Sequence, residues 1–465
     1  MKPGRGALLV LLAMAVRTPM LITQHDDYAS GGITTALGLV ARNLLEGRGL
    51  VETTGPDAIL VLYDRQQAEG RLIDIQDFPD PPDQPTKPLI QRMPGYPLFL
   101  AIAWKPGGGY RYLPAQVVQV LLGSLLPLLL YAAGGRLFGE SAGMVAGGIT
   151  ALNLPMAWLS VVPLYDGWVL LVAAVVVWLL VRSDGRGHPV VDWAWLGLVA
   201  AAGVSFKATF LIVPVVAAAA LVPRLGPRRA AVRGAVALGI PLLVLLPWAV
   251  RNERIFHRPI LTNTFFWATV WEGFGEIDND FGAVLDDRAT FAVVRAAHPG
   301  VIYASPEYDD LLRPRVLEAV RSRPAFLVRL ALRRLARGLL LPNDRWGLPA
   351  AEDPGRSYAA FRARTGGGPA AYAAAEPLAA AIKLMKLLWG PVLPGLAAFG
   401  LWKHRERWRE LLPLLGVAAA FLAPTVLLHM EGRYLLPASL VWTLLAAACF
   451  SPIPGAPASG DRAAA

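Results

Sequence analysis

The sequence predicts an all-α polytopic membrane protein, and three observations carry that reading. Hydrophobic residues fill 55% of the 465 positions, with a mean hydropathy of +0.45. Charged residues reach only 17%, against about 25% in soluble domains. Apolar runs near the roughly 17–25 residues that a membrane helix needs recur along the chain, separated by short loops rich in arginine.

Ten spans follow from those runs: about 7–23, 113–133, 141–160, 166–182, 191–206, 208–223, 234–250, 379–401, 410–429 and 434–450. The pair around Lys207 is the least separated. Lys2 and Arg5 precede the first run, and Ala13-Met14-Ala15 resembles a cleavage site; the segment 1–23 is read as an uncleaved signal-anchor. With the N-terminus inside, the cytoplasmic loops hold Arg136; Arg182, Arg186 and His188; Arg224, Arg228, Arg229 and Arg233; and Lys403, Arg405, Arg407 and Arg409. That is the asymmetry expected of inward-facing loops. Two long segments, 24–112 and 251–378, then lie outside together and carry 26 of the 34 acidic residues. The helix bundle occupies 113–250 and 379–450, and 451–465 forms a cytoplasmic tail.

The net charge of +10 is explained by those loops and by anionic lipid, so nucleic acid is not expected as a partner. Cys449 is the single cysteine, which excludes an intramolecular disulfide, and no Cys/His spacing suits zinc. In the second outer segment, 324–341 places Arg329, Arg333 and Arg337 four residues apart on one helical face with leucines opposite, the pattern of an interfacial helix. The run from Pro79 to Pro85 reads as extended loop, and the Gly/Ala-rich stretch 365–375 as a mobile loop. No internal repeat is visible.

Chemistry concentrates at the outer ends of the spans. Asp26 and Asp27 follow the first span directly. A carboxylate costs about 2.5–3.5 kcal/mol at the bilayer centre and less towards the interface, so this pair needs a wet site or a compensating role. The plainer reading is two solvated acids ending a helix. On the same side lie Arg92, Tyr96, Tyr165, Asp166, Lys207, Arg251, Asn252, Glu431, Arg433 and Tyr434. Each has its own plain reading: a snorkelling lysine, a helix-end charge, an aromatic belt. Together they put acids, cations and aromatics on one face of one membrane, which suits a polar substrate delivered on a lipid. A base activates an acceptor hydroxyl or amine, and arginines neutralise a departing phosphate. The sequence carries no Gly-rich phosphate loop, and no metal site is assigned. Whether Asp26 and Asp27 hold a divalent cation stays open, since no third ligand stands out.

The chain resembles the GT-C superfamily of membrane glycosyltransferases, in particular bacterial relatives of the protein O-mannosyltransferases and of the aminoarabinose transferase acting on lipid A. The matching stretches are Asp26-Asp27-Tyr28 with Asn43 to Gly49; Arg92-Met93-Pro94-Gly95-Tyr96-Pro97; Pro247-Trp248 with Arg251-Asn252; Thr262-Asn263 to Trp271-Glu272-Gly273; and Gly432-Arg433-Tyr434 to Pro437. The resemblance implies a GT-C fold, a bacterial inner-membrane location and an active site on the extracytoplasmic face. It implies inverting transfer from a polyprenyl-phosphate sugar to a lipid, glycan or protein acceptor, with Asp26 as general base. Asp27 replaces a common glutamate, and Lys207 stands where relatives often carry arginine. The rival readings are a polyprenyl-lipid or glycolipid transporter or flippase, a scaffold of envelope assembly, and an O-antigen-ligase-like enzyme. A transporter would call for paired half-helices or a repeat, and a scaffold needs no acid pair.

Overall fold

The structure is a computed structural model that describes residues 3–24, 31–53, 64–66, 68–77, 86–183, 189–340, 355 and 357–451. Asp26, Asp27, the proline-rich loop at 79–85 and nearly all of the expected tail lie outside the described residues.

All ten predicted segments are helical. Seven are long and apolar enough to cross a membrane: Gly4–Thr23, Tyr112–Phe138, Ala208–Leu225, Pro227–Phe256, Ala379–Lys403, Arg405–Leu427 and Gly432–Phe450. The pair Glu140–Leu152 and Leu154–Val161, bent by 53°, makes an eighth when taken as one broken span. Asn153 makes that bend. Its backbone is extended, its side chain accepts from the Met156 amide at 3.0 Å, and Pro155 opens the next helix. Asp166–Arg182 and Pro189–Val204, of 17 and 16 residues, complete the ten.

The Gly432–Ala447 helix runs through the middle of the bundle and is buried continuously from Leu435 to Ala447. Around it, helices approach closely. A Cβ at Gly143 would sit 2.6 Å from the Tyr131 carbonyl oxygen, so the helices Leu126–Phe138 and Glu140–Leu152 touch backbone to backbone. Within lipid, such van der Waals contact replaces the hydrophobic drive. Arg17 of the first helix is fully buried. Its Nη1 donates to the carbonyls of Ala13 (3.3 Å) and Ala151 (3.4 Å), and its Nε to Ser160 Oγ (3.4 Å), at the bent pair.

The two long segments meet at one end of the bundle. Strands Val51–Thr53 and Thr86–Pro88 pair antiparallel, with Val51 opposite Pro88. Arg251, near the end of the Pro227–Phe256 helix, donates to the carbonyls of Leu89 (2.9 Å) and Leu50 (3.1 Å) and so clamps this ribbon to the helix. The second segment joins through Thr264, whose amide donates to the Ile90 carbonyl at 3.1 Å, and through Lys87 Nζ to the Tyr303 carbonyl at 2.6 Å. Gly95 lets the returning chain dock: its amide donates to the Ser205 carbonyl at 2.7 Å, and a Cβ there would lie 2.5 Å from that oxygen.

Two local expectations change. The segment 24–112 contains an apolar helix, Gly31–Leu45, whose Thr34 and Thr35 are buried. The stretch 365–375 is not a loop. Helices Tyr358–Thr365 and Pro369–Ala375 cover it, separated only by Gly366–Gly368. Alanine is the best helix former, Ser357 caps the first helix, Gly366 ends it at φ 70°, and Pro369 starts the second. The stretch at 324 does form a helix, Pro324–Leu340, with Arg329, Arg333 and Arg337 exposed as their spacing predicts.

Candidate active site

A cavity of about 900 Å³ lies where the helix ends face the second long segment. Its walls come from the Gly31–Leu45 helix, the turn at 206–209, the stretch 262–272, residues 285–288 and the joint at 428–434. Of the residues singled out from the sequence, Arg92, Tyr165, Lys207, Glu431, Arg433 and Tyr434 line it.

Asp166 lies beneath that wall, 2% exposed, and gathers two of the cations. Lys207 Nζ approaches one carboxylate oxygen at 3.7 Å and Arg433 Nη1 the other at 3.6 Å. These are ion pairs at long range; neither oxygen accepts a hydrogen bond among the described residues. Lys207 also sits 3.4 Å from the Tyr434 ring centroid, a cation–π contact. Burial pushes the Lys207 ammonium down to about 8, against the pull of Asp166. Arg433 Nε reaches Glu431 Oε2 at 2.5 Å. Both cations therefore have anionic partners already, and both border the cavity.

The joint between the last two helices is tied to the second long segment by a buried network. Glu276 is bound by Arg334 through Nε (2.9 Å) and Nη2 (3.2 Å), by His429 Nδ1 (2.9 Å) and by the Met430 amide (2.8 Å). Arg334 also donates to the carbonyls of Gly273 (2.6 Å) and Val426 (3.1 Å). His429 Nε2 faces Glu431 Oε1 at 3.3 Å. Burial alone would lower the His429 imidazolium; its bonds to Glu276 and Glu431 more than offset that and raise it to about 9. Burial works likewise against the Glu431 carboxylate, and Arg433 and His429 hold it well below the usual range. Neither Arg334 nor Glu276 was singled out by sequence. The available signal was an arginine on the leucine face, four residues after the buried Leu330.

The His429 proton makes a prediction with a definite sign. A group raised on folding stabilises the native state fully below its unfolded value, here 6.5, and loses that contribution as pH rises through about 9. His429 thereby lowers the thermal midpoint of the purified protein between pH 6.5 and 9, by the equivalent of about 2 kcal/mol once the sharing of charge within the cluster is discounted. His429→Gln makes the slope across this window shallower without abolishing it, because other buried groups titrate there too. Equal slopes in parent and His429→Gln remove the protonated histidine from the network.

Other residues sit elsewhere. Tyr96 is buried in a packed cluster with its hydroxyl on Gln119 Oε1 at 2.6 Å. Arg251 holds the ribbon, and Asn252 Nδ2 donates to the Ile260 carbonyl at 2.9 Å. All three are away from the cavity wall. The wall contains one acid that sequence reasoning quoted without a role, Glu272, beside Asp286 and Asp287. Among the described residues no cluster of three or more His, Cys, Asp or Glu is arranged to hold a metal ion.

Bundle and cavity together define an all-α polytopic membrane protein whose polar chamber opens at the helix ends. Residues 87–250 match the family model of dolichyl-phosphate-mannose-protein mannosyltransferase, a GT-C glycosyltransferase family, as the sequence motifs led one to expect. No curated protein matches the sequence. Among solved structures, the chain is similar to the oligosaccharyltransferase of Archaeoglobus fulgidus in complex with zinc and sulfate, at 13% identity and a TM-score of 0.48, over 95% of this chain and 48% of that one. A second structure of that archaeal enzyme, AglB with an inhibitory peptide and a dolichol-phosphate, gives 13% identity and 0.47 over 95% and 49%. ArnT from Cupriavidus metallidurans, bound to undecaprenyl phosphate, gives 15% identity and 0.38 over 96% and 77%. The chain spans about half the length of the archaeal oligosaccharyltransferase.

Proposed function

We propose that the protein is an inverting glycosyltransferase that moves a sugar from a polyprenyl-phosphate donor to a lipid, glycan or protein acceptor on the extracytoplasmic face of a bacterial inner membrane. The observation that carries this reading is the convergence of Arg92, Lys207 and Arg433 on one chamber at the helix ends. A phosphate leaving group needs preorganised positive charge where its own charge develops. Lys207 and Arg433 Nη1 are each held only at long range from Asp166, so both can also meet a phosphate, while Arg433 Nε stays on Glu431. Asp26 is the base that takes the acceptor proton, with Asp27 beside it. The family match supports the donor class.

The test is a panel of radiolabelled polyprenyl-phosphate sugars offered to the purified protein, scored for transfer and for donor hydrolysis. Sugar-dependent turnover with at least one donor is expected; a protein that binds such lipids but neither transfers nor hydrolyses is better read as a transporter. Sidedness has its own check. Cysteines placed at Asp64 and Asp310 react with a membrane-impermeant reagent in intact cells. Protection of either site overturns the shared outward placement of the two long segments.

A further inference from the structure

The chamber has a second pole, opposite in character to the cationic one. Glu272 lies in its wall, 8% exposed, on the Phe266–Phe274 helix. Its Oε1 is fully buried and has no hydrogen-bond partner among the described residues. Leaving a buried carboxyl oxygen unpaired is costly, about 1–3 kcal/mol or more. The groups facing it are Asp286 and Asp287 from the neighbouring helix start, Tyr303 and Tyr308, and Glu431 from the joint. None is a cation. Burial first, then Asp287, pushes the Glu272 carboxyl up to about 10. At neutral pH it is an uncharged acid, able both to donate and to accept.

We infer that Glu272, with Asp287, forms the subsite that binds the hydroxyl groups of the transferred sugar. This rests on the donor class proposed above. The chemistry fits because a neutral carboxyl beside a second acid offers a donor and several acceptors, the complement of adjacent sugar hydroxyls. Position fits too. Gly273, the next residue, is held by Arg334, and Arg334 and Glu276 anchor the joint that carries His429 and Glu431. The acid pole is thereby fixed relative to the cations, as it must be when the sugar is bonded directly to the phosphate.

The experiment compares binding of undecaprenyl phosphate with undecaprenyl phosphates bearing a hexose, an N-acetylhexosamine or an aminopentose. The parent protein binds at least one glycosylated lipid about tenfold more tightly than the bare one. Glu272→Ala abolishes that gain and leaves the bare-lipid affinity unchanged, a readout that also certifies the fold. Glu272→Gln, which keeps the shape and offers both an amide donor and a carbonyl acceptor, retains most of the gain. Equal weakening of bare and glycosylated lipid by Glu272→Ala overturns the subsite. So does a Glu272→Gln variant that behaves like alanine, and so does a parent that binds the bare lipid but gains nothing from any of the sugars. A parent that binds none of these lipids instead overturns the donor class itself.

Discussion

Asp26→Asn lowers single-turnover sugar transfer by about 10²–10⁴-fold, the usual worth of general-base assistance. Donor binding survives, because asparagine keeps the shape and removes a charge that repels phosphate. Asp26 lies outside the described residues, but the helix that follows it, from Gly31, lines the chamber through Gly32, Ile33 and Ala36. The cations that would neutralise the departing phosphate border the same space. Asp27→Asn has the smaller effect if Asp27 only positions the acceptor. Transfer by Asp26→Asn within a few-fold of the parent would show that another acid is the base, with Asp27, Asp166 and Glu431 the next to be replaced.

Arg334→Met destabilises the folded protein by about 3–5 kcal/mol, the range for removing one partner of a buried ion pair. Arg334 is 2% exposed and Glu276 nearly as buried, so the carboxylate is left with only His429 and one amide. The two backbone carbonyls that Arg334 serves, on Gly273 and Val426, each lose a donor as well, although Gly273 keeps the Glu276 amide at 3.3 Å. Unfolding of the detergent-purified protein measures the loss. Glu276→Met added to Arg334→Met recovers part of it, since the uncompensated charge disappears. If Arg334→Met unfolds within about 1 kcal/mol of the parent, the joint is held by something other than this pair.

Much of the bundle was legible because apolar length is a local property. The helix boundaries shifted by a few residues, as at Pro227–Phe256, where polar first and last turns lie beyond the apolar run. The candidate site was legible in part. Lys207, Glu431 and Arg433 stood out as charges interrupting apolar sequence, and they do line one chamber. Arg251 stood out for the same reason but serves the ribbon, because a charge at a helix end looks alike whether it faces a cavity or a pair of carbonyls. Arg334 and Glu276 are 58 residues apart, and no local pattern links them. The spacing of Arg329, Arg333 and Arg337 drew attention to the exposed face of a helix whose buried face carries the structural arginine. The alanine-rich 369–375 was misread from composition, where propensity pointed to helix.

Arg17 carries a consequence for how the chain is made. Its guanidinium finds Ala151 and Ser160 only after 134 and 143 further residues have been synthesised. At about 5–20 residues per second, that is a delay of roughly 7–30 s. Until then the first helix bears a positive charge met only by its own Ala13 carbonyl, costing about 2.5–3.5 kcal/mol if it settles at the bilayer centre. The first helix is therefore expected to linger at the translocation machinery, or near the interface, until the bent pair emerges to receive it. Crosslinking of stalled nascent chains tests this order: contact between the first helix and the insertion machinery persists in chains arrested before residue 160 and fades in longer ones. In Arg17→Leu it fades early. Loss of contact at equal lengths in both would show that the buried arginine sets no timetable.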